Sequence, residues 1–469
     1  VFTNQAAGSY DFQSDASITY SGNKSATIDN HGQVGKSGGT GTSVIAHKVQ
    51  FTNFGTVAAT SGTLLVDGAA QFASNELAGG TWQVGPAATL KLSPLTGTIP
   101  SYPQIYRNRG TVTLDGSGSA FDQIEWLSRN YGTLNVTGGR SFSTRSGNLI
   151  NDGTINLQGG GTFTVNGDFT ISESGYLVAD AASRFKVLTN VKFNSTQGAL
   201  WRTESATLIL DNRYSHAFYL PGQDLGAVAD GFTDNFAWGT LDLSGVGNLR
   251  LWDGNPLVAG AALYVREIPG VQIFTEPDLI PDPEYEGEEN PPMIPNPNAG
   301  QVRITNISGF GFNIYYLPEL AGNAYLGGKS YDLMDGGRLA PVGATSGFAA
   351  WAATNHADGQ TLGDDHDQDG VPNGIEYFLG GPNGETTGFT ALPVVTNSSG
   401  TLSVTWTRAG NYTGNYDTHF VVETSESLDG AWTHEVLDVN VHLSGNDLSY
   451  TFPPPGPARK FVRLKVTGP

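Results

Sequence analysis

Asn108-Arg-Gly-Thr-Val112, Asn130-Tyr-Gly-Thr-Leu134 and Asn151-Asp-Gly-Thr-Ile155 lie over one another at spacings of 22 and 21 residues. Each continues with an alternating apolar position, a Gly pair or Gly-Ser, and a Phe. A repeat of that length with strand alternation means coils of a solenoid. Val112, Leu134 and Ile155 form one apolar column, Leu114, Val136 and Leu157 a second, and Phe121, Phe142 and Phe163 a third with a one-residue slip. In a parallel β-helix such columns stack inward at about 4.8 Å per coil. The Asn column is expected at a corner, where Asn tolerates the left-handed conformation and its amide bonds the Asn of the next coil.

Weaker copies extend the register both ways: Asn30-His-Gly, Asn53-Phe-Gly-Thr-Val, Ala78-Gly-Gly-Thr-Trp, Ser174-Gly-Tyr-Leu, Gln197-Gly-Ala-Leu, Trp238-Gly-Thr-Leu and Ala259-Gly-Ala-Ala-Leu. A run of antiparallel hairpins is the alternative, since short strands with Gly-rich turns also build sandwiches. Composition fits an all-β chain: 63 Gly and only 14% charged residues in 469, with few helix-forming stretches. Zero cysteines exclude a disulfide framework, a thiolate metal site and a thiol nucleophile. The formal charge of −20 repels nucleic acid and anionic membrane and favours cations. No segment approaches the ~18 apolar residues of a membrane span. The chain opens on Val1 without a signal peptide, which reads as a processed mature end or an artificial boundary. Six Asn-x-Ser/Thr triplets, at Asn23, Asn135, Asn194, Asn306, Asn397 and Asn411, are expected by chance at this composition.

Five regions are expected: a solenoid over 1–270, an acidic Pro-rich insertion over 271–300, strands closing or capping the solenoid over 301–341, a calcium-binding linker over 342–385 and a β-sandwich over 386–469. The stretch 274–300 is dense in Pro and acid and is expected to hold no pairing strand. It reads as a solvated insertion, or as an acidic surface of Asp278, Asp282, Glu284, Glu286, Glu288 and Glu289 for cations or a basic partner. Short strands at 402–407, 419–424, 432–436, 448–452 and 461–466 suggest an immunoglobulin-like sandwich. Trp406 and Trp432 are expected in its core, with a carbohydrate-stacking face as the alternative.

The segment with specific chemistry is Asp365-His-Asp-Gln-Asp-Gly-Val-Pro-Asn-Gly-Ile-Glu376. Its spacing places Asp365, Asp367, Asp369, Asn373 and Glu376 at positions 1, 3, 5, 9 and 12 of a calcium loop, with Gly370 at the sharp turn. Val371 would supply its carbonyl and Glu376 both carboxylate oxygens. A short helix is expected over 348–354 and another over 374–379, carrying Ile375 and Phe378 inward. Pro372 replaces the hydrophobic residue through which paired hands bridge, and there is no second loop. A structural site is therefore expected rather than a sensor, and calcium rather than magnesium, which keeps more of its waters.

The run from Phe348-Ala-Ala-Trp351 through the Asp loop to Asn373-Gly-Ile-Glu-Tyr-Phe-Leu-Gly380 resembles the thrombospondin type 3-like calcium linker of large secreted bacterial surface proteins. In that family the linker is often followed by a small β-domain containing segments similar to Val422-Glu-Thr-Ser-Glu-Ser-Leu-Asp-Gly-Ala-Trp432 and Lys460-Phe-Val-Arg-Leu-Lys-Val466. The Asn-x-Gly-Thr coils are similar to autotransporter-associated β-strand repeats. The resemblance implies a secreted or cell-surface protein. The family's frequent C-terminal sorting helix is not matched, since the chain stops at Thr467-Gly-Pro469.

Parallel β-helices also carry polysaccharide lyases and hydrolases, whose sites need clustered acids, with Arg or Lys for a lyase. Here acids such as Asp115 and Asp152 are scattered, the eight His are dispersed, and no hydrolase, zinc-protease, phosphate-loop or dinucleotide motif occurs. The sequence therefore predicts a non-enzyme with one of two roles. It is either a structural subunit that self-associates into a fibre, sheath or layer, or an adhesin binding polysaccharide through loops 211–236 and 274–300. In the first role calcium would rigidify the joint between solenoid and sandwich.

Overall fold

A computed structural model describes all residues except 96–102, 211–214, 256, 258–259, 282–291, 297–301, 344–347, 349–350, 353–354, 356, 358–359, 367, 381–392, 411, 413, 455–458 and 469. The chain divides into two compact units, Val1–Leu339 and Ala340–Pro469. The first is a parallel β-solenoid of about 13 turns.

One wall is an eight-stranded parallel ladder, from Ser9–Phe12 through Gln33–Lys36, Thr56–Ala59, Thr81–Val84, Thr111–Asp115, Thr133–Thr137 and Thr154–Leu157 to Tyr176–Ala179. Its register is the one expected: Val112 pairs with Leu134 and Leu134 with Ile155, while Leu114, Val136 and Leu157 align beside them. All six are fully buried. The intervening Thr113, Asn135 and Asn156 pair in the same register and face outward. Strict alternation thus makes one dry face and one Thr/Asn face from the same strands.

In the Phe column, Phe142 pairs with Phe163 and Phe163 with Phe185, the first two rings stacked at 4.8 Å. Phe121 is buried but precedes a 3-10 turn, Asp122–Trp126, rather than lying in a ladder, and the slip comes from one extra residue between Gly116 and Phe121 compared with Gly138 and Phe142. Farther along, Phe169, Phe193, Trp201, Phe218 and Trp238 continue the aromatic filling. Gln197-Gly-Ala-Leu200 differs from the expected strand, since Gly198–Leu200 forms a 3-10 turn.

The Asn column is real and its amides bond from coil to coil as expected, but the left-handed backbone expected with it is absent. Asn108, Asn130 and Asn151 end strands, pair in register and are fully buried, and none has positive φ. Asn108 Nδ2 donates to Asn130 Oδ1 at 2.9 Å, and Asn130 Nδ2 donates to Asn151 Oδ1 at 2.8 Å. A second run, Asn4 to Asn30 to Asn53, repeats this at 2.8 Å per step. Each amide also reaches into the turn, as Asn130 Nδ2 does to Gly132 O at 3.0 Å. The Asn side chains therefore satisfy buried turn carbonyls rather than relieving backbone strain. The following Gly is required by close approach: a Cβ on Gly132 would lie 2.1 Å from Gly110 O, and one on Gly153 2.1 Å from Gly132 O.

The stretch expected to hold no pairing strand does hold one. Leu279–Pro281 pairs antiparallel with Met293–Pro295, and Ile273–Thr275 pairs antiparallel with Val302–Ser308. In a two-stranded ribbon every strand is an edge, so Pro's missing N–H can face solvent. Of the expected acidic surface, Asp282, Glu284, Glu286, Glu288 and Glu289 lie outside the described residues. Val302–Ser308, Asn313–Tyr316 and Tyr331–Met334 continue the solenoid's parallel pairing.

The second unit contains two antiparallel sheets. One orders Val394–Ser398, Thr401–Thr407, Asp447–Thr451 and Val441–Ser444; the other places Phe420–Ser425 between Thr433–His434 and Phe461–Val466. Val404, Trp406, Phe420, Val422, Leu448 and Leu464 share one core. Trp432 is not in it: the ring is half-buried under the Arg463 guanidinium, 4.1 Å from its centroid. No helix among the described residues is long and apolar enough to cross a membrane.

Candidate functional site

The acidic loop lies in the second unit, and its exit is the helix Asn373–Leu379. The helix forms because Pro372 pre-sets its entry and Gly380, in the left-handed conformation, ends it. Tyr377, Phe378 and Leu379 are buried in the core shared with the sheets, and Ile375 is partly buried against it. Phe378 packs on Tyr412 and Phe420 at 4.9 and 5.0 Å. Upstream, Phe348, Trp351 and Ala352 are helical, while the remaining residues of the expected 348–354 helix fall outside the described set.

Gly370 at the expected sharp turn has φ +94, and Gln368 has φ +61. Asp365 Oδ2 accepts the Gly370 N–H at 2.9 Å and Asp369 Oδ1 accepts that of Val371 at 2.8 Å, so both carboxylates fold the loop onto itself. Asn373 is fully buried; its Oδ1 accepts His366 N–H at 3.1 Å, and its Nδ2 donates to Gln360 Oε1 at 2.9 Å and Thr361 O at 3.2 Å. Glu376, the expected last ligand, is 2% exposed. Hydrogen bonds from the Thr361 backbone and hydroxyl hold the Asp364 carboxyl below its ordinary range.

Asp367, the central ligand of the expected set, lies outside the described residues. Among the described residues, no three His, Cys, Asp or Glu side chains converge on one point. The donor set nevertheless fits a hard cation in one respect: Asp365 Oδ1 is buried with no hydrogen-bond partner. A carboxylate oxygen withdrawn from water is costly unless something pairs with it.

Of the other expected contact region, 211–236, residues 215–236 have a more definite shape than the sequence suggested, beginning with His216–Leu220 as a strand of the parallel ladder. Parallel partners Arg184 and Thr207 are 23 residues apart, whereas Thr207 and Thr240 are 33 apart, so this coil carries about ten extra residues. They fold over a cleft of about 520 Å³ whose lining includes Trp201, Arg202, Phe232, Asp234, Phe236 and Arg266. Trp201, Arg266 and Leu317 were not foreseen there, because the solenoid joins them from separate coils.

The cleft wall is braced from behind. Tyr264 Oη donates to Gly226 O at 2.7 Å and accepts the Leu225 N–H at 2.9 Å. Asp224 accepts Tyr315 Oη and Asn313 Nδ2, each at 2.8 Å. Burial, joined by the Asp224 carboxylate, raises the pKa of both tyrosines, which therefore remain neutral donors at ordinary pH. Asn235, buried, exchanges two hydrogen bonds with the Gln223 backbone at 2.8 and 2.9 Å.

Comparison with family models, curated proteins and solved structures gives no match for this chain.

Proposed function

We propose that the protein is a non-catalytic extracellular structural subunit, a solenoid that associates with copies of itself into a fibre, sheath or layer. The observation that carries this reading is the eight-rung wall with in-register outward columns such as Thr111, Thr133 and Thr154, and Thr113, Asn135 and Asn156. A flat polar face repeated at each rung can meet the same face of another copy, and contacts that do not close give filaments.

Calcium is the cofactor of this reading, held by Asp365, Asp367, Asp369, the Val371 carbonyl, Asn373 and Glu376. The loop's exit helix belongs to the core of the second unit, so the metal would stabilise that unit itself rather than a joint between domains. The two sheets there are read as an immunoglobulin-like sandwich, and the coils as autotransporter-type repeats.

Sedimentation velocity and negative-stain imaging, each with calcium and with a chelator, test the assembly. Filaments or large oligomers are expected; a monomer at every concentration and calcium level contradicts the proposal. For the metal, saturating calcium at ~100 times its Kd should stabilise the second unit by about 2.7 kcal/mol. Asp369→Ala should abolish that gain and expose 355–385 to protease while leaving the coils folded. Identical melting with and without calcium in the unaltered chain removes the metal from the account.

A further inference from the structure

We propose that the cleft under loop 221–237 is a binding site for an acidic saccharide, a pyranose unit bearing a carboxylate. This goes beyond the assembly reading and stands apart from it, since a monomer or a filament subunit could equally carry the site.

The loop carries two backbone outliers, both in the cleft lining: Asp234 at φ +51 and Phe236 at φ +61. A bulky aromatic at positive φ is rare outside strained positions, and strain of this kind is kept where a constellation must be held in place. Phe236 is locked edge-on against Trp201 at 5.2 Å. The loop backbone presses so closely on the coil below that a Cβ on Gly198 would lie 2.1 Å from Asp234 O, and one on Gly231 1.9 Å from the Tyr264 ring. Together with the Asn235 and Asp224 braces, this fixes the wall before any ligand arrives, which lowers the entropy loss on binding.

The lining chemistry selects the ligand class. Phe232 is half-buried, an apolar surface on which the C–H face of a sugar ring can rest. Glu204, Asp234 and Thr233 offer acceptors for hydroxyl donors. An anion without donors, such as sulfate, would meet those carboxylates unfavourably, and a purely apolar ligand would leave them unpaired. The two arginines differ. Arg202 is neutralised, its Nη1 bonding Trp201 O at 2.6 Å and Asp234 Oδ1 at 3.1 Å. Arg266 lies 5.9 Å from the Phe232 ring centroid and, among the described residues, has no carboxylate partner. A planar guanidinium beside an aromatic face suits a ring-borne carboxylate. The chain's charge of −20 opposes an anion at a distance, but that field is screened beyond roughly 8 Å at physiological salt, so contacts within the cleft decide.

The test titrates trigalacturonate and its fully methyl-esterified form into the full-length chain by calorimetry, at matched salt. The acid should bind, and the ester should bind on the order of tenfold more weakly, the loss of one charge-assisted hydrogen-bond pair. Arg266→Gln should erase the difference between the two ligands, and Phe232→Ala should weaken both. Arg184→Gln, outside the cleft, should change neither. Arg266 and Arg184 are exposed, so both variants are expected to fold; unchanged melting checks this. No binding of the acid, equal binding of acid and ester, or equal loss in Arg184→Gln and Arg266→Gln would each overturn the proposal.

Discussion

Replacing Asn130 by Asp changes one atom and should make the solenoid's stability depend on pH in a way the parent's does not. Asn130 Oδ1 accepts from Asn108 at 2.9 Å, while its Nδ2 donates to Asn151 Oδ1 at 2.8 Å, Gly132 O at 3.0 Å and Thr154 O at 3.0 Å. A carboxylate could still accept from Asn108, but its second oxygen would face three acceptors in a fully buried position. Only the protonated acid can donate there, so the folded-state pKa must rise above the unfolded value of ~3.9. With both states protonated below that pH, no linkage penalty applies; as pH rises the penalty grows by about 1.4 kcal/mol per unit until the folded pKa is reached. A rise of about three units, ordinary for a buried carboxyl, makes the variant about 3 kcal/mol less stable at pH 7 than at pH 4, after the parent's own change is subtracted. Asn130→Ala instead removes about 3 kcal/mol of hydrogen bonding with no pH dependence. Because a solenoid opens locally, the assay is hydrogen exchange at the Tyr131 and Gly132 amides, which donate to Asn108 O at 2.8 and 3.0 Å, combined with urea melts. Equal destabilisation of Asn130→Asp at both pH values, or an Asn130→Ala loss below about 0.5 kcal/mol, refutes the ladder's energetic role.

Gly132→Ala should destabilise the coils by about 1–3 kcal/mol, because the new Cβ meets Gly110 O, whereas Gly147→Ala, with open space around its Cβ, is limited to its φ penalty; urea midpoints separate them. Burial pushes the Asp168 carboxyl up, but Lys192, Thr189 and Asn190 outweigh it and bring it to about 2. Its folded pKa is thus depressed, and the stability it contributes, about 2 kcal/mol at most, is present above pH ~4 and lost as pH falls through ~2. Asp168→Asn should flatten that part of the acid-unfolding curve. In a host that glycosylates, Asn306 should remain unmodified by peptide mapping, since it is fully buried with its Oδ1 accepting the Gln272 N–H at 2.9 Å.

The coil register was legible because inward columns repeat: Val112, Leu134 and Ile155 must share an environment, and pairing them fixes their neighbours. The Asn column was equally visible, but a column does not tell a strand end from a corner, so the left-handed conformation expected there is absent. Proline density over 274–300 hid the Leu279–Pro281 ribbon, where edge position rather than composition decides. Val394–Ser398 and Val441–Ser444 were missed because both are largely exposed and show no inward alternation. The acidic motif Asp365–Glu376 is contiguous in the chain, so its spacing alone suggested a cation loop. The cleft was not, as Trp201, Phe232, Arg266 and Leu317 come from separate coils. The one available signal was the excess length between Thr207 and Thr240.

Because the chain has no cysteine, paired spin labels can be placed without background. Thr111 pairs with Thr133, and Asp115 with Thr137, in parallel ladders. Distance measurement on Thr111→Cys/Thr133→Cys and Thr111→Cys/Thr137→Cys therefore tests the stacked-rung architecture directly. Parallel coils place the first backbone pair about 5 Å apart and the second roughly 14 Å apart. Antiparallel hairpins would reverse that order, and a long first distance with a short second one would contradict the solenoid.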